Sequence, residues 1–507
     1  MAEAPGPIAG QPAAAEPDAA PPAARQEATG QEATGQDLTA QEVTRFAAEL
    51  IRMDTTNRGG GAGREREAAE YVAGLLGGAG LDPVLLESAP GRANVVARVA
   101  GADREAAALL LHGHLDVVPA DPAGWSVHPF SGEVRDGVLW GRGAVDMKNA
   151  VAVILALVRD WARSGRQPQR DIVLAFTADE EDTAAYGAQW LVEQHAGLFD
   201  GCSEAIGESG AFTFHASPQL RLYPIASAER GTAWLKLTAR GVAGHGSKPN
   251  AQNAVTRLAE ALARIGAYQW PVRLIPTVQA AIHAIAAAVG TGTTAGAGAP
   301  AGAAAAAAGQ AGAAAGLLAG LGPAAALVSA TVRNSANPTM LQAGYKVNVI
   351  PGEAVAYVDG RVLPGYEEEF VATINELTGP DVSWEYAHRE QALEAPPGSP
   401  LVAAMAQALL AEDPGATVVP YCMSGGTDAK QFSRLGLACY GYTPLVLPDG
   451  YDYYAMFHGV DERIPVSALH SGVRIMDRLL AAARPPSGAA GQSAPPERAP
   501  RTGSPAA

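Results

Sequence analysis

Cysteine is scarce: Cys202, Cys422 and Cys439 are the only three in 507 residues. Three thiols cannot build a disulfide framework in a chain this long, so a reducing, cytoplasmic setting is the simplest reading. Positive charge is also short. Lys and Arg number 36 against 52 Asp and Glu, a formal net charge of −16, and no basic face is available to neutralise phosphates. Nucleic acid is therefore excluded as a partner. Long runs of strongly apolar residues are missing too. The most apolar stretch, about 280–328, is mostly Ala and Gly and is interrupted by Pro300 and Pro323. Such residues gain little from lipid, so no membrane span is expected. The opening Met-Ala-Glu-Ala-Pro-Gly has neither a basic n-region nor an apolar h-region, and no secretory signal is visible.

What the chain does have in quantity is glycine (58) and proline (37), which points to low-complexity segments diluting a globular core. Residues 1–37 are rich in Ala, Pro, Glu and Gln and carry the repeat Gln-Glu-Ala-Thr-Gly at 26–30 and 31–35. They contain too little apolar side chain to offset ordering entropy and are expected to be disordered, as is the tail 485–507. A third such segment, about 285–325, is either a loop or a stretch of Ala-driven helix broken by Gly and Pro.

Between these segments lie alternating signals. Short apolar runs at 95–99, 107–111 and 172–176 have strand length, and 67–76 and 150–161 show helical spacing. That alternation predicts an α/β sheet covered by helices on both faces. From Gly231 the texture changes to half-exposed strands (234–238, 355–362, 382–386) and amphipathic helices (254–265, 367–377). The order suggests a β-α-β-β-α-β sandwich of the ferredoxin-like type. Buried strands and helices then return over 401–480. The expected organisation is a larger α/β domain in two parts, 38–228 and 389–484, interrupted by a smaller domain at 229–388 with an Ala/Gly-rich insert at about 271–327.

The chemistry begins at Leu109-Leu-Leu-His-Gly-His-Leu-Asp-Val-Val-Pro119, where an apolar strand runs into His112, His114 and Asp116. Spacings of two put all three on one face, and strand ends are where open α/β sheets place ligands. Either histidine could instead be a core residue bonded to Asp116. Acidic residues then recur after an apolar strand or a Gly turn: Asp146 after Gly141-Arg-Gly-Ala-Val, Glu180 and Glu181 after 174–179, and Glu208 after Ala205-Ile-Gly. His458 follows late in the chain. Carboxylates gathered without a cation repel and shift their pKa upward. A divalent metal is the natural counter-charge, and a His/carboxylate set without Cys suits a catalytic zinc site.

These motifs resemble the aminoacylase/carboxypeptidase family of co-catalytic di-zinc metallopeptidases, metallopeptidase family twenty. The resemblance covers about Gln41 to Leu480. It is carried by Gly113-His-Leu-Asp116, Gly143-Ala-Val-Asp-Met-Lys148, Asp179-Glu-Glu181, Gly207-Glu-Ser-Gly210, Gly244-His-Gly246 and His458-Gly459. The segments 124–132, 346–351 and 458–463 are most similar to its carboxypeptidase S and N-acyl-amino-acid hydrolase branch. The fold this implies is a zinc-peptidase-type catalytic domain with a mixed, mostly parallel sheet, and an inserted ferredoxin-like lid that dimerises.

The resemblance also implies roles. Asp146 would bridge two zinc ions, His114 and Glu208 would complete one, and Glu181 with His458 the other; cobalt or manganese could stand in for zinc. Asp116 would orient His114. Glu180 would be the general base acting on a water held between the metals. His245 would steady the oxyanion across a subunit boundary. Arg361 and Asn348 would hold the substrate's carboxylate and a nearby oxygen, with Gly426 and Thr427 in a loop beside them. A planar guanidinium suits a carboxylate by forked hydrogen bonding.

The expected activity is cleavage of the amide bond of an N-acyl amino acid or short peptide with a free C-terminal carboxylate. A dipeptidase or deacetylase/desuccinylase on the same scaffold is the alternative, and a metal-binding protein without activity is a remoter one. One departure stands out. The smaller domain is longer than is usual in the family because of its insert; carboxypeptidase S relatives carry an insert there too, although they commonly enter a secretory or vacuolar route.

Overall fold

The strand Ala108–His114 is buried at all seven positions. A strand covered on both faces belongs at the centre of a sheet between two helix layers. In the computed structural model, which describes residues 35–290, 316 and 318–484, it occupies that position. Leu109 and Leu111 enter the core on one side, and Ala108 and Leu110 enter the core on the other.

The sheet has ten strands among the described residues. Its centre runs Ile172–Thr177, Ala108–His114, Cys202–Gly207 and Ala438–Gly441, all parallel. Antiparallel pairing takes over toward the edges, with Arg92–Val99 and Val84–Ala89 on one side and Leu220–Glu229 on the other. The helices Gly35–Arg52, Lys148–Ser164 and Val466–Ala482 cover one face. Lys148–Ser164 buries most of its length, and Gly165 (φ 69°) ends it in the left-handed region that glycine adopts without strain.

The smaller domain is an antiparallel sheet in the order Ser335–Ala343, Glu353–Val362, Gly231–Arg240, Val382–Glu390. The helices Ala254–Ala267 and Glu367–Thr378 pack on one face over Leu235, Leu237, Ala356 and Val358. That is the ferredoxin-like order. Two crossovers join it to the larger sheet and run side by side, since Leu393 pairs with Glu229 and Glu390 with Thr232.

Two elements differ from expectation. The strand Ser335–Ala343 has no alternating signal because it is an exposed edge with a register shift at Pro338. Residues 276–289, expected in the insert of the smaller domain, form a helix that packs on Leu220–Glu229 and Thr417–Met423 of the large sheet. Val278, Ala281, Ile282 and Ile285 form its buried stripe against Leu222 and Val419. The rest of the low-complexity segment, 291–315, lies outside the described residues, as do the terminal segments 1–34 and 485–507. Residues 35–37 open the first helix. Among the described residues no helix is long and apolar enough to cross a membrane.

Candidate metal centre

Three parallel neighbours, Ile172–Thr177, Ala108–His114 and Cys202–Gly207, end at the same edge of the sheet. His114 is the last residue of its strand, Glu180 and Glu181 lie in the turn after theirs, and Glu208 is one step past its strand. Asp146 arrives from the turn before Lys148–Ser164, and His458 from a loop where it holds φ 53°. Strained backbone of this sort clusters where side-chain aim is over-determined by its surroundings, and Asp179 (φ 67°) and Ser209 (φ 69°) share it here.

The two oxygens of Asp146 face different histidines. Oδ1 lies 3.1 Å from His114 Nε2 and Oδ2 lies 3.3 Å from His458 Nε2. His114 Nε2 is also 3.6 Å from Glu208 Oε2, and His458 Nε2 is 3.1 Å from Glu181 Oε2. Ligand atoms on a tetrahedral ion with bonds of about 2.0–2.1 Å sit roughly 3.3–3.4 Å apart, so these spacings fit a divalent cation on each side of Asp146. Glu180 Oε2 lies 3.9 Å from His114 Nε2, and by distance Glu180 forms a three-donor group with His114 and Glu208.

His112 is separated from this set. Its buried ring sits 4.9 Å from Phe432, and the ring nitrogens would collide with any Cβ at Gly207. Burial first, and then the neighbouring His114, push its pKa down to about 3, so it is a neutral core residue. His114 differs because its Nδ1 meets the Asp116 carbonyl at 3.0 Å and its Nε2 faces carboxylates. Only a proton or a cation can lie between Nε2 and those oxygens.

The floor of the site is built by Asp116 and by residues that have no ligand-type spacing. The carboxylate of Asp116 accepts the backbone N–H of Glu180 and of Glu181, each at 3.2 Å, which pins that turn. Asn57 donates to Asp116 at 2.9 Å and to Asp179 at 3.0 Å. Glu462 accepts the N–H of Gly143 (3.1 Å), Val145 (2.7 Å) and Asp146 (3.1 Å), and pairs with Arg142 at 2.7 Å. Lys148 reaches the Leu50 and Met53 carbonyls at 2.9 and 3.0 Å. Asn57 and Glu462 went unassigned in the sequence because they act through backbone N–H groups and a remote carboxylate.

Crowding shows in the electrostatics. Burial raises Glu208 to about 8 even though His114 opposes it. Burial and the Glu208 charge hold Glu180 well above the usual carboxylate range. Glu181 is raised by burial and by Asp146. Asp428 is pushed up to about 7 by burial, against its bond to Thr177. Hydrogen bonds to Asp146 and Glu181 lift His458 to about 10. Bonds to His114 and His458 hold Asp146 well below the usual carboxylate range against its burial, while the acids around it resist ionising; together they describe a pocket short of positive charge.

A cleft of about 310 Å³ opens over these groups. Arg361, Gly426 and Thr427 line it together with Asp146, Glu180, Glu181, Glu208 and His458. Arg361 is partly committed, since Nε and Nη2 bond Asp359 at 2.8 and 3.3 Å while Nη1 has only a 3.5 Å contact to Thr232. A Cβ at Gly426 would meet Lys430 Nζ, which explains glycine there, and Thr427 bonds Glu229 at 2.8 Å. His245 and Asn348 are not among the lining residues. They sit exposed on a two-stranded ribbon, Gly244–His245 against Val349–Ile350, tied by the Gly246 N–H to the Asn348 carbonyl at 2.9 Å.

The sequence profile of peptidase family M20/M25/M40 matches residues 110–482. An N-fatty-acyl-amino acid synthase/hydrolase PM20D1 from Xenopus tropicalis is 26% identical over 441 residues, covering 82% of this chain and 80% of that protein. A probable carboxypeptidase S-like 2 from Dictyostelium discoideum is 28% identical over 72% of this chain and 70% of its own length. In fold, the chain is similar to the M20 family metallo-carboxypeptidase Sso-CP2 from Sulfolobus solfataricus, with a TM-score of 0.65, 16% identity, and 87% of this chain and 99% of that one covered.

Proposed function

The chain belongs to peptidase family M20/M25/M40 and is a metallohydrolase, and on that premise we propose that it cleaves the amide bond of an N-acyl amino acid or a short peptide with a free C-terminal carboxylate. The observation that carries the proposal is Asp146, set between His114 and His458 at 3.1 and 3.3 Å, on the wall of a cleft that Arg361 also lines.

In this reading His114, Asp146 and Glu208 hold one ion, and Asp146, Glu181 and His458 hold the second. Nitrogen and oxygen donors without sulfur suit zinc, and accept cobalt or manganese. Metal ions in such a pair lower the pKa of water from about 15.7 toward 7 and neutralise developing negative charge. Glu180 takes a proton from the attacking water and delivers it to the leaving nitrogen. Asp116 keeps the Nδ1 side of His114 occupied so that Nε2 faces the cleft.

Arg361 offers Nη1 to the substrate's carboxylate, while Asp359 fixes the guanidinium plane. His245 carries a donor on an exposed ribbon, with Nδ1 engaged by Ser247 at 2.8 Å. We assign it to the cleft of a second copy, in a homodimer formed through the smaller domain, with Asn348 beside it. The three cysteines are free thiols, which supports a cytoplasmic location.

The test is a panel of N-acyl amino acids, dipeptides and their C-terminally amidated counterparts on zinc-loaded protein. The proposal expects turnover of free acids and loss of turnover on amidation; equal turnover of both overturns the Arg361 role. Preference for dipeptides or for succinylated amines within the panel would establish the alternative specificity. Glu180→Ala should retain two ions per chain and lose hydrolysis.

A further inference from the structure

Behind the strand end that presents His114 lies a second cavity, with room of about 20 Å³ for water. Met147, Gly207 and Tyr442 contribute to its wall. Three polar side chains also line it, and each is more than nine-tenths buried: His112, Asn149 and Thr443. His112 Nε2, both polar atoms of the Asn149 amide and Thr443 Oγ1 find no hydrogen-bond partner among the described residues. Buried polar atoms without partners are costly and rare, and they are usually satisfied by internal water.

A water needs roughly 10–15 Å³ of such room and two to four polar partners. The cavity meets both conditions. The three residues also come from three separate segments: two of them carry a residue of the metal centre, and the third is bonded to the turn that presents another. His112 is two residues before His114 on the same strand. Asn149 opens the helix that follows Asp146. Thr443 donates its N–H to the Gly210 carbonyl at 3.0 Å, beside the turn that presents Glu208, and Tyr442 N–H reaches Gly207 at 2.9 Å.

We infer that this cavity is a binding site for ordered water, one molecule and at most a second, bonded to His112 Nε2, the Asn149 amide and Thr443 Oγ1. Its role is to tie the three segments together from behind, so that His112, Asn149 and Thr443 act as positioning residues for His114, Asp146 and Glu208. A water both donates and accepts, so it pairs with His112 Nε2 in either neutral tautomer while the Asn149 amide and the Thr443 hydroxyl supply the complementary donor and acceptor. A hydroxyl-free residue at 443 removes one corner of the bridge without changing side-chain shape.

The site itself is independent of the hydrolase proposal, and a high-resolution crystal structure of the unmodified protein tests it. Density within about 2.7–3.2 Å of His112 Nε2, Asn149 and Thr443 Oγ1 is expected. A dry cavity, or rotamers in which these atoms satisfy one another directly, overturns the inference. The positioning role is tested by zinc affinity in competition with a chelator. Thr443→Val should weaken zinc binding about tenfold, the lower end of what loss of a ligand-orienting partner costs, while Thr443→Ser should stay within about twofold. Equal affinity in both variants overturns the role while leaving the water site standing. Failure of the wild type to bind zinc at all points instead to the metal-centre assignment.

Discussion

The floor of the metal cleft and the ribbon that bears His245 are opposite ways of presenting functional side chains. On the floor, Asp116 and Glu462 are fully buried, and their carboxylates are met by backbone N–H groups from the turns they hold. On the ribbon, His245 on a two-residue strand and Asn348 just before its partner strand stand in the open, braced by Ser247 and by a few local backbone bonds. The first is assembled when the chain folds. The second stands apart from the metal cleft and lines a separate open hollow with Lys248 and Asn250, so the proposed role of His245 needs the cleft of a partner copy.

Breaking the floor should have the largest effect. Glu462→Ala strips three turn N–H groups and Arg142 of their acceptor, and removing one member of a buried ion pair costs about 3–5 kcal/mol. Denaturant unfolding should show that loss together with reduced metal content. A near-neutral result would mean that the 143–146 turn is held by something other than Glu462. Asp116→Asn keeps the volume and fold but weakens the bonds to Glu180 N–H and Glu181 N–H. Zinc affinity should fall about 10- to 100-fold, measured by chelator competition.

The hinge between the domains should respond to acid. Burial would raise the Glu390 carboxyl, but His388 and Lys430 outweigh it and hold it at about 2. A depressed carboxyl contributes its stability above the unfolded value of about 4.5 and loses it as pH falls toward 2. Unfolding free energy should therefore drop across that window by on the order of 2–3 kcal/mol, and Glu390→Gln should flatten the drop. A wild-type profile as flat as the variant's would contradict the pairing.

The ribbon should be nearly silent in stability. His245→Ala should change unfolding free energy by less than about 0.5 kcal/mol, as exposed substitutions do, and leave metal content intact while kcat falls. Mixing His245→Ala with Glu180→Gln chains should recover up to about a quarter of wild-type activity through mixed dimers that keep one complete site. No recovery in a confirmed mixed dimer would place His245 in its own chain's cleft.

Much of this contrast was legible in the sequence, and the reasons are physical. His114, Asp146, Glu181 and Glu208 follow apolar strands or Gly turns, so their local pattern reports both position and chemistry. Spacing alone left His112 and His114 equivalent on one strand face and the family resemblance singled out His114; the physical reason is tertiary, since Phe432 and Gly207 enclose His112 while His114 meets carboxylates. Asn57 and Glu462 left no signal, since they act 59 and 316 positions away, on Asp116 and on the Asp146 N–H. The edge strand Ser335–Ala343 lacked alternation because almost none of it is buried. The helix Pro276–Val289 was hidden by Ala-rich composition, which its close packing on the large sheet uses.

Anomalous diffraction from zinc-loaded crystals would decide the matter. Two peaks flanking the Asp146 carboxylate are expected, one against His114 and Glu208 and the other against Glu181 and His458. A single peak, or a second ion held away from Asp146, would contradict the two-metal centre on which the proposed hydrolysis depends.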